Sequence, residues 1–144
     1  MATLDITRTI DINATPEKVW AALTEPELIA QWFGDTCEFE AKPGGTGYFG
    51  WPQHGQFRLV VERADKPTLL VYRWARVADA DPVPGNSTVV RFDLTEIADG
   101  TRLTLLETGF DDLPEPQTAH DDNTGGWRAE LGELVEFLES AAVR

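Results

Sequence analysis

Leu4, Ile6, Ile10 and Ile12 alternate with Asp5, Thr7, Thr9 and Asp11, and this two-residue period predicts a strand with one dry face. Arg8 alone interrupts the apolar row. An arginine there reads as snorkelling at a rim, or as paired with an acid inside a cavity. Thr15 then reads as a helix N-cap and Pro16 as the first helical residue, with Lys18 where a capping-box acid would stand. Val19, Trp20 and Leu23 form a short apolar stripe. Thr24-Glu25-Pro26 predicts a second cap and proline start, for a short helix continued by Leu28, Ile29, Trp32 and Phe33.

From Cys37 to about Val77 the pattern is one of strands separated by turns: Cys37 to Glu40, Thr46 to Trp51, Phe57 to Glu62 and Leu69 to Trp74. Phe57, Leu59 and Val61 share one face, as do Leu70, Tyr72 and Trp74. Asp79 to Asn86, with two prolines and a glycine, is a connection, after which Val90, Phe92 and Leu94 resume the alternation. Asp99-Gly100 is the strongest hairpin marker and leads into Arg102 to Glu107. Residues 111–118 are too rich in proline for a strand or a helix interior. Trp127, Leu131, Leu134, Val135 and Leu138 then recur at helical spacing, predicting a helix from about His120 or Asn123 to about Ser140. Gly125, Gly126 and Gly132 weaken that helix, either for close approach to a ligand or the sheet, or because its first turns are loose.

The order is strand, two short helices, a meander of six strands and one long helix. This is an α+β protein, a single domain over residues 1–144, in which only the last helix is long enough to cover the dry face of the sheet. A chain of this length buries roughly 68% of its unfolded surface, enough for a core with room for a cavity. One cysteine, Cys37, forms no internal disulfide, and no basic-then-apolar leader opens the chain, which points to a cytoplasmic protein. The formal charge is -13, with acids in larger excess in the second half. Such a surface does not neutralise phosphates, so nucleic-acid binding and membrane insertion are excluded as expectations.

Several segments carry a resemblance in order. Ile12-Asn13-Ala14-Thr15-Pro16-Glu17-Lys18-Val19-Trp20 through Gln31-Trp32-Phe33 resembles the opening of the activator of heat-shock-protein-ninety ATPase homologue family, within the START-like, polyketide-cyclase and birch-allergen-like superfamily (SRPBCC). Lys42-Pro43-Gly44-Gly45, Leu69 to Trp74, Gly100 to Phe110 and the Gly126-Trp127 pair are similar to the same pattern, over roughly residues 3–140. The resemblance implies a helix-grip fold: a curved seven-stranded antiparallel sheet around the C-terminal helix, two short helices plugging one end, and an apolar cavity between sheet and helix. It also implies a spread of functions, from lipid carriers, sensors and self-resistance proteins to aromatases, cyclases and a chaperone activator. The eukaryotic activator is larger and uses an additional domain, whereas this chain matches the single module.

Trp32, Phe39, Phe49, Trp51, Phe57, Tyr72, Trp74, Phe92, Phe110 and Trp127 are candidates to line the interior, because aromatic rings make rigid apolar walls with a few polar edges. Core packing is the alternative for each, most directly for Phe57 and Phe92 in mid-strand. Trp51, Trp74 and Trp127 lie near element ends, where pocket mouths occur. Among polar residues, Arg8, Arg73, Glu107 and Arg128 are those expected to enter a pocket, and Glu107 joins the ligand-binding set; rim salt bridges are the alternative. His54 reads as turn surface and His120 as part of a helix start with Asp121 and Asp122. Cys37 reads as a small buried hydrophobe. Asp111, Asp112, His120, Asp121 and Asp122 show no metal-ligand spacing, and Gly44-Gly45-Thr46-Gly47 lacks the lysine of a phosphate loop. No catalytic residue, metal or cofactor is expected. The leading reading is non-covalent binding of a small apolar or aromatic molecule by a monomer or weak homodimer. The alternatives are a cyclase, aromatase or hydrolase using Glu107 or His120 as a proton carrier, and a protein-interaction module related to chaperone activation.

Overall fold

A computed structural model describes residues 4–142; the first three residues, on which the leader reading began, and the last two of the 1–144 span lie outside the described residues. The element order is β1 (Ile6–Ile12), α1 (Pro16–Thr24), α2 (Pro26–Ile29), β2 (Thr36–Phe39), β3 (Thr46–Trp51), β4 (Gly55–Asp65), β5 (Leu69–Ala75), β6 (Ser87–Ile97), β7 (Gly100–Thr108) and α3 (Pro116–Ala142), with a 3-10 turn over Phe110–Asp112. Every neighbouring pair is antiparallel, in the order β1-β7-β6-β5-β4-β3-β2. This is the helix-grip arrangement, with α3 as its long helix.

The local signals explain most boundaries. The Thr15 hydroxyl accepts the Lys18 amide at 3.3 Å and Pro16 follows as the first helical residue, a cap contributing about 1 kcal/mol. Thr24 does not cap α2: its hydroxyl donates to the Trp20 carbonyl at 2.7 Å, and Glu25 stands at the cap with no side-chain bond. Nor does α2 continue through Trp32 and Phe33. It is four residues long, and the chain turns on Trp32 and Phe33 amides that both donate to the Ile29 carbonyl.

The β6–β7 hairpin forms with Ile97 opposite Gly100, so its corner is Ala98-Asp99 and Gly100 opens β7. Gly100 has φ 146°, and a Cβ there would stand 2.1 Å from the Ile12 carbonyl. The glycine thus serves the close approach of β1 as much as the turn. In β7 the inward row is Thr101, Leu103, Leu105 and Glu107, every one buried. β4 carries a bulge between Val61 and Arg63, which adds bend and twist to the sheet and which the alternation did not reveal.

α3 starts at Pro116, earlier than the His120 or Asn123 expected from its apolar stripe. A proline forbidden in a helix interior is accommodated in the first turn, where its missing N–H has no partner to lose. Ala119, Trp127, Leu131, Leu134 and Leu138 are buried on its inner side. Gly125, Gly126 and Gly132 have open space where a Cβ would stand, so close approach of the sheet does not account for them. One continuous core joins these residues to α1 and to the inner rows of β5, β6 and β7.

Candidate ligand-binding cavity

Glu107 ends the inward row of β7, next to Thr88 and Trp74, which are register partners on β6 and β5. Asn123 and Trp127, four residues apart on one side of α3, reach down to the same place. The Glu107 carboxyl is fully buried and accepts from four groups: the Trp74 indole N–H at 3.0 Å, the Trp127 indole N–H at 2.7 Å, the Thr88 hydroxyl at 2.5 Å and the Asn123 amide at 3.1 Å and 3.2 Å. Among the described residues no basic side chain pairs with it by an ion pair. A carboxylate is acceptor-only, and three donors fixed by packing plus one rotatable hydroxyl satisfy it without a cation. Burial first, and the nearby Glu107 charge second, hold the Tyr72 phenol well above its ordinary range.

Above this cluster, two neighbouring pockets that are both open to solvent lie between the sheet and the first half of α3, taken together as the outer and inner lobes of one site. The outer lobe, about 380 Å³, is lined by Trp51, Phe57, Trp74, Thr88 and Asn123, with His54, Arg76 and Asp122 at its rim. The inner lobe, about 230 Å³, is lined by Phe33, Trp51, Trp74, Asn123, Trp127, Gly126 and Glu130. Trp51, Trp74 and Asn123 line both.

The rings support one another. Phe33 is the hub, stacked on Trp127 at 5.4 Å and packed edgewise against Trp51 at 5.2 Å and Phe49 at 4.8 Å. Gly34 allows this: its φ is +73°, and a Cβ would stand 2.9 Å from the Gly50 carbonyl and 3.4 Å from the Trp51 ring, so the segment leaving α2 can lie directly on β3.

The charged groups divide between the lobes. At the outer rim Arg76 donates to Asp122 at 2.9 Å and to the Asn123 side-chain carbonyl at 3.4 Å. At the inner lobe Glu130 is half-buried, and its Oε2 is covered yet has no hydrogen-bond partner. Burial first, and Glu133 one turn on, push its carboxyl up to about 7.

Of the eleven residues offered from sequence as candidates to line the interior, Trp51, Phe57, Trp74 and Trp127 border the two lobes, and Glu107 sits beneath them. The other six lie elsewhere, with Phe92 buried edge-on to Trp127. Phe49 and Tyr72 pack behind the wall, and Phe39 borders a separate shallow groove with Cys37. The Trp32 indole donates to the Ala22 carbonyl at 2.8 Å, and Phe110 is buried edge-on to His120. Arg73 is held by Ser87 and Glu62, Arg8 is half-buried on β1, and Arg128 is exposed. His120 is remote from Glu107 in bonding, with its Nε2 against the Asp5 carbonyl at 3.1 Å. Burial, reinforced by Glu38, pushes the Cys37 thiol up to about 12, so it stays protonated at neutral pH.

Sequence reasoning missed Phe33, Thr88, Asn123 and Glu130. The one available signal was spacing: Asn123, Trp127 and Glu130 stand at i, i+4 and i+7 and share a helix side.

A family profile described as Activator of Hsp90 ATPase homolog 1-like protein matches residues 13–139. No curated protein matches the chain in sequence. Among solved structures, protein MLL2253 from Mesorhizobium loti is 28% identical with a TM-score of 0.83, over 94% of this chain and 97% of that one. The Aha1 dimer from Colwellia psychrerythraea is 21% identical with a TM-score of 0.80, over 96% and 97%. DynU16, described as a putative protein in the dynemicin biosynthetic locus, is 23% identical with a TM-score of 0.79; the match covers 97% of this chain and 49% of DynU16. The last two likenesses bear on fold alone. No helix among the described residues is long and apolar enough to cross a membrane.

Proposed function

The chain belongs to the Activator of Hsp90 ATPase homolog 1-like family, and from that premise we propose that it binds a small, largely apolar or aromatic molecule non-covalently in the two-lobed cavity. The observation that carries this reading is the composition of the cavity wall. Rings from β3, β4, β5, α3 and the segment after α2 surround it, and the polar groups beside them are fixed in advance by the Glu107 cluster. Preformed apolar walls with a few oriented polar groups are what small-molecule sites have in common.

A one- or two-ring ligand burying about 250 Å² of apolar surface gains about 6 kcal/mol before association costs, which sets the expected Kd in the micromolar to millimolar range. Glu107 serves in this reading as the anchor that orients Trp74, Trp127 and Asn123, not as a proton carrier, since both its oxygens are occupied. Titrating the protein with a panel of neutral aromatic compounds is expected to change tryptophan fluorescence and to raise Tm. At a hundredfold excess over Kd the stabilisation is about 2.7 kcal/mol. If no compound moves either signal while the protein stays folded, the reading fails.

A further inference from the structure

We propose that the inner lobe is a site for an organic cation: a substituted ammonium group, carried on the ligand's apolar body, seated among Phe33, Trp51, Trp74 and Trp127 against the Glu130 carboxylate. The proposal rests on the ligand-binding reading above and adds the charge of the ligand. Its starting point is Glu130 Oε2, the one buried side-chain nitrogen or oxygen among the described residues with no hydrogen-bond partner. An acceptor covered in this way is unfavourable to the fold, more so when charged. The sequence nevertheless puts a glutamate there, on the side of α3 that faces aromatic walls. A cation seated in the lobe offsets that charge electrostatically without having to reach the covered oxygen.

The walls favour the same charge. Four aromatic residues border the inner lobe, and the negative faces of aromatic rings attract cations. Trp74 and Trp127 both donate their indole N–H to Glu107, and a carboxylate accepting those bonds raises the electron density of both rings. Among the described residues no basic side chain lines the inner lobe. The guanidinium of the outer lobe, Arg76, is neutralised by Asp122 at 2.9 Å, while Glu107 lies beneath with no basic partner. The interior field is therefore negative, and the formal charge of -13 draws cations toward the mouth. Glu130's carboxyl is raised to about 7 by burial, with Glu133 adding to it, as befits an acid with no cation beside it.

An anionic ligand is disfavoured by the same inventory. A divalent metal is disfavoured too: the inner lobe offers one carboxylate and one amide among rings that cannot ligate it. A volume of about 230 Å³ accommodates a trimethylammonium-sized group.

The test compares two probes of nearly equal shape, phenyltrimethylammonium and tert-butylbenzene, by tryptophan fluorescence and calorimetry on the full chain at low salt. The wild type is expected to prefer the ammonium by about tenfold or more. Glu130→Gln is expected to cut that preference to about threefold or less. Its Tm, measured alongside, is expected to equal or exceed that of the wild type, because the side chain replaced has no partner to lose. Equal binding of the two probes, or tighter binding of the neutral one, overturns the cation inference while leaving the ligand-binding reading standing. A preference that survives Glu130→Gln overturns it as well. Binding of neither probe also overturns it, and the neutral panel described above then decides the parent reading separately.

Discussion

The two ends of β7's inward row follow one geometric rule and have opposite chemistry. Toward one end, one step in from Thr101, Leu103 stands opposite Ile10 and Leu94 with no exposure. At the other, Glu107 is equally sealed but holds two indoles, a hydroxyl and an amide. The aliphatic end is stabilised by close packing. The carboxylate end fixes rings by their edges and leaves space between the sheet and α3. The buried acid holds two wall rings by their indole N–H groups.

The sharpest way to break this comparison is to remove the acid. Glu107→Ala leaves four donors without an acceptor and is expected to lower the unfolding free energy by about 3–5 kcal/mol in urea denaturation. A loss below about 1 kcal/mol means that the cluster does not hold the wall. At the aliphatic end Leu103→Ala is expected to cost about 3 kcal/mol through the cavity it leaves, yet to keep ligand affinity within about twofold of wild type once folded. Loss of binding there would erase the division between the ends. Trp74→Phe keeps a ring but deletes one donor to Glu107. It is expected to cost about 1–2 kcal/mol and to weaken ligand binding, read from the same denaturation and fluorescence titrations.

The smallest effect is on pH. Glu130's carboxyl is raised in the folded state to about 7 from an ordinary 4.5, so the fold favours its protonated form. That contribution is complete below about pH 4.5 and is lost as pH rises through about 7, because in that window the native state binds more protons than the unfolded one. The difference in Tm between wild type and Glu130→Gln, followed from pH 4 to 8, is expected to move against the wild type as pH rises. A constant difference would show that Glu130 titrates normally.

Much of the frame was legible because period-2 and helical alternation are written by burial itself. The inward row Leu103, Leu105 and Glu107, the Thr15 cap and the stripe Trp127, Leu131, Leu134 and Leu138 all follow from it. The bulge at Val61/Arg63 was not legible, since one extra residue leaves no mark in a strand whose outer positions are already polar. The start of α3 was misplaced because Pro116 was weighed as an interior residue and not as a first-turn residue. The site was only partly legible. Glu107 stands out in the sequence as a charge on an apolar row, but Asn123 reads only as a possible helix start and Glu130 carries no signal of its own. Their role depends on how α3 lies over the sheet, which spacing along one helix does not specify. Thr88 was hidden for the same reason, its partner Trp74 being fixed by strand register.

The five tryptophans provide the most direct test of the central claim that ligand enters between the sheet and the first half of α3. In a two-dimensional NMR spectrum of the indole N–H groups, adding a binding aromatic compound is expected to shift the signals of Trp51, Trp74 and Trp127, which border the cavity, and to leave Trp20 and Trp32, buried around α1 and the segment after α2, in place. Movement of Trp20 and Trp32 with the other three unchanged would contradict the account.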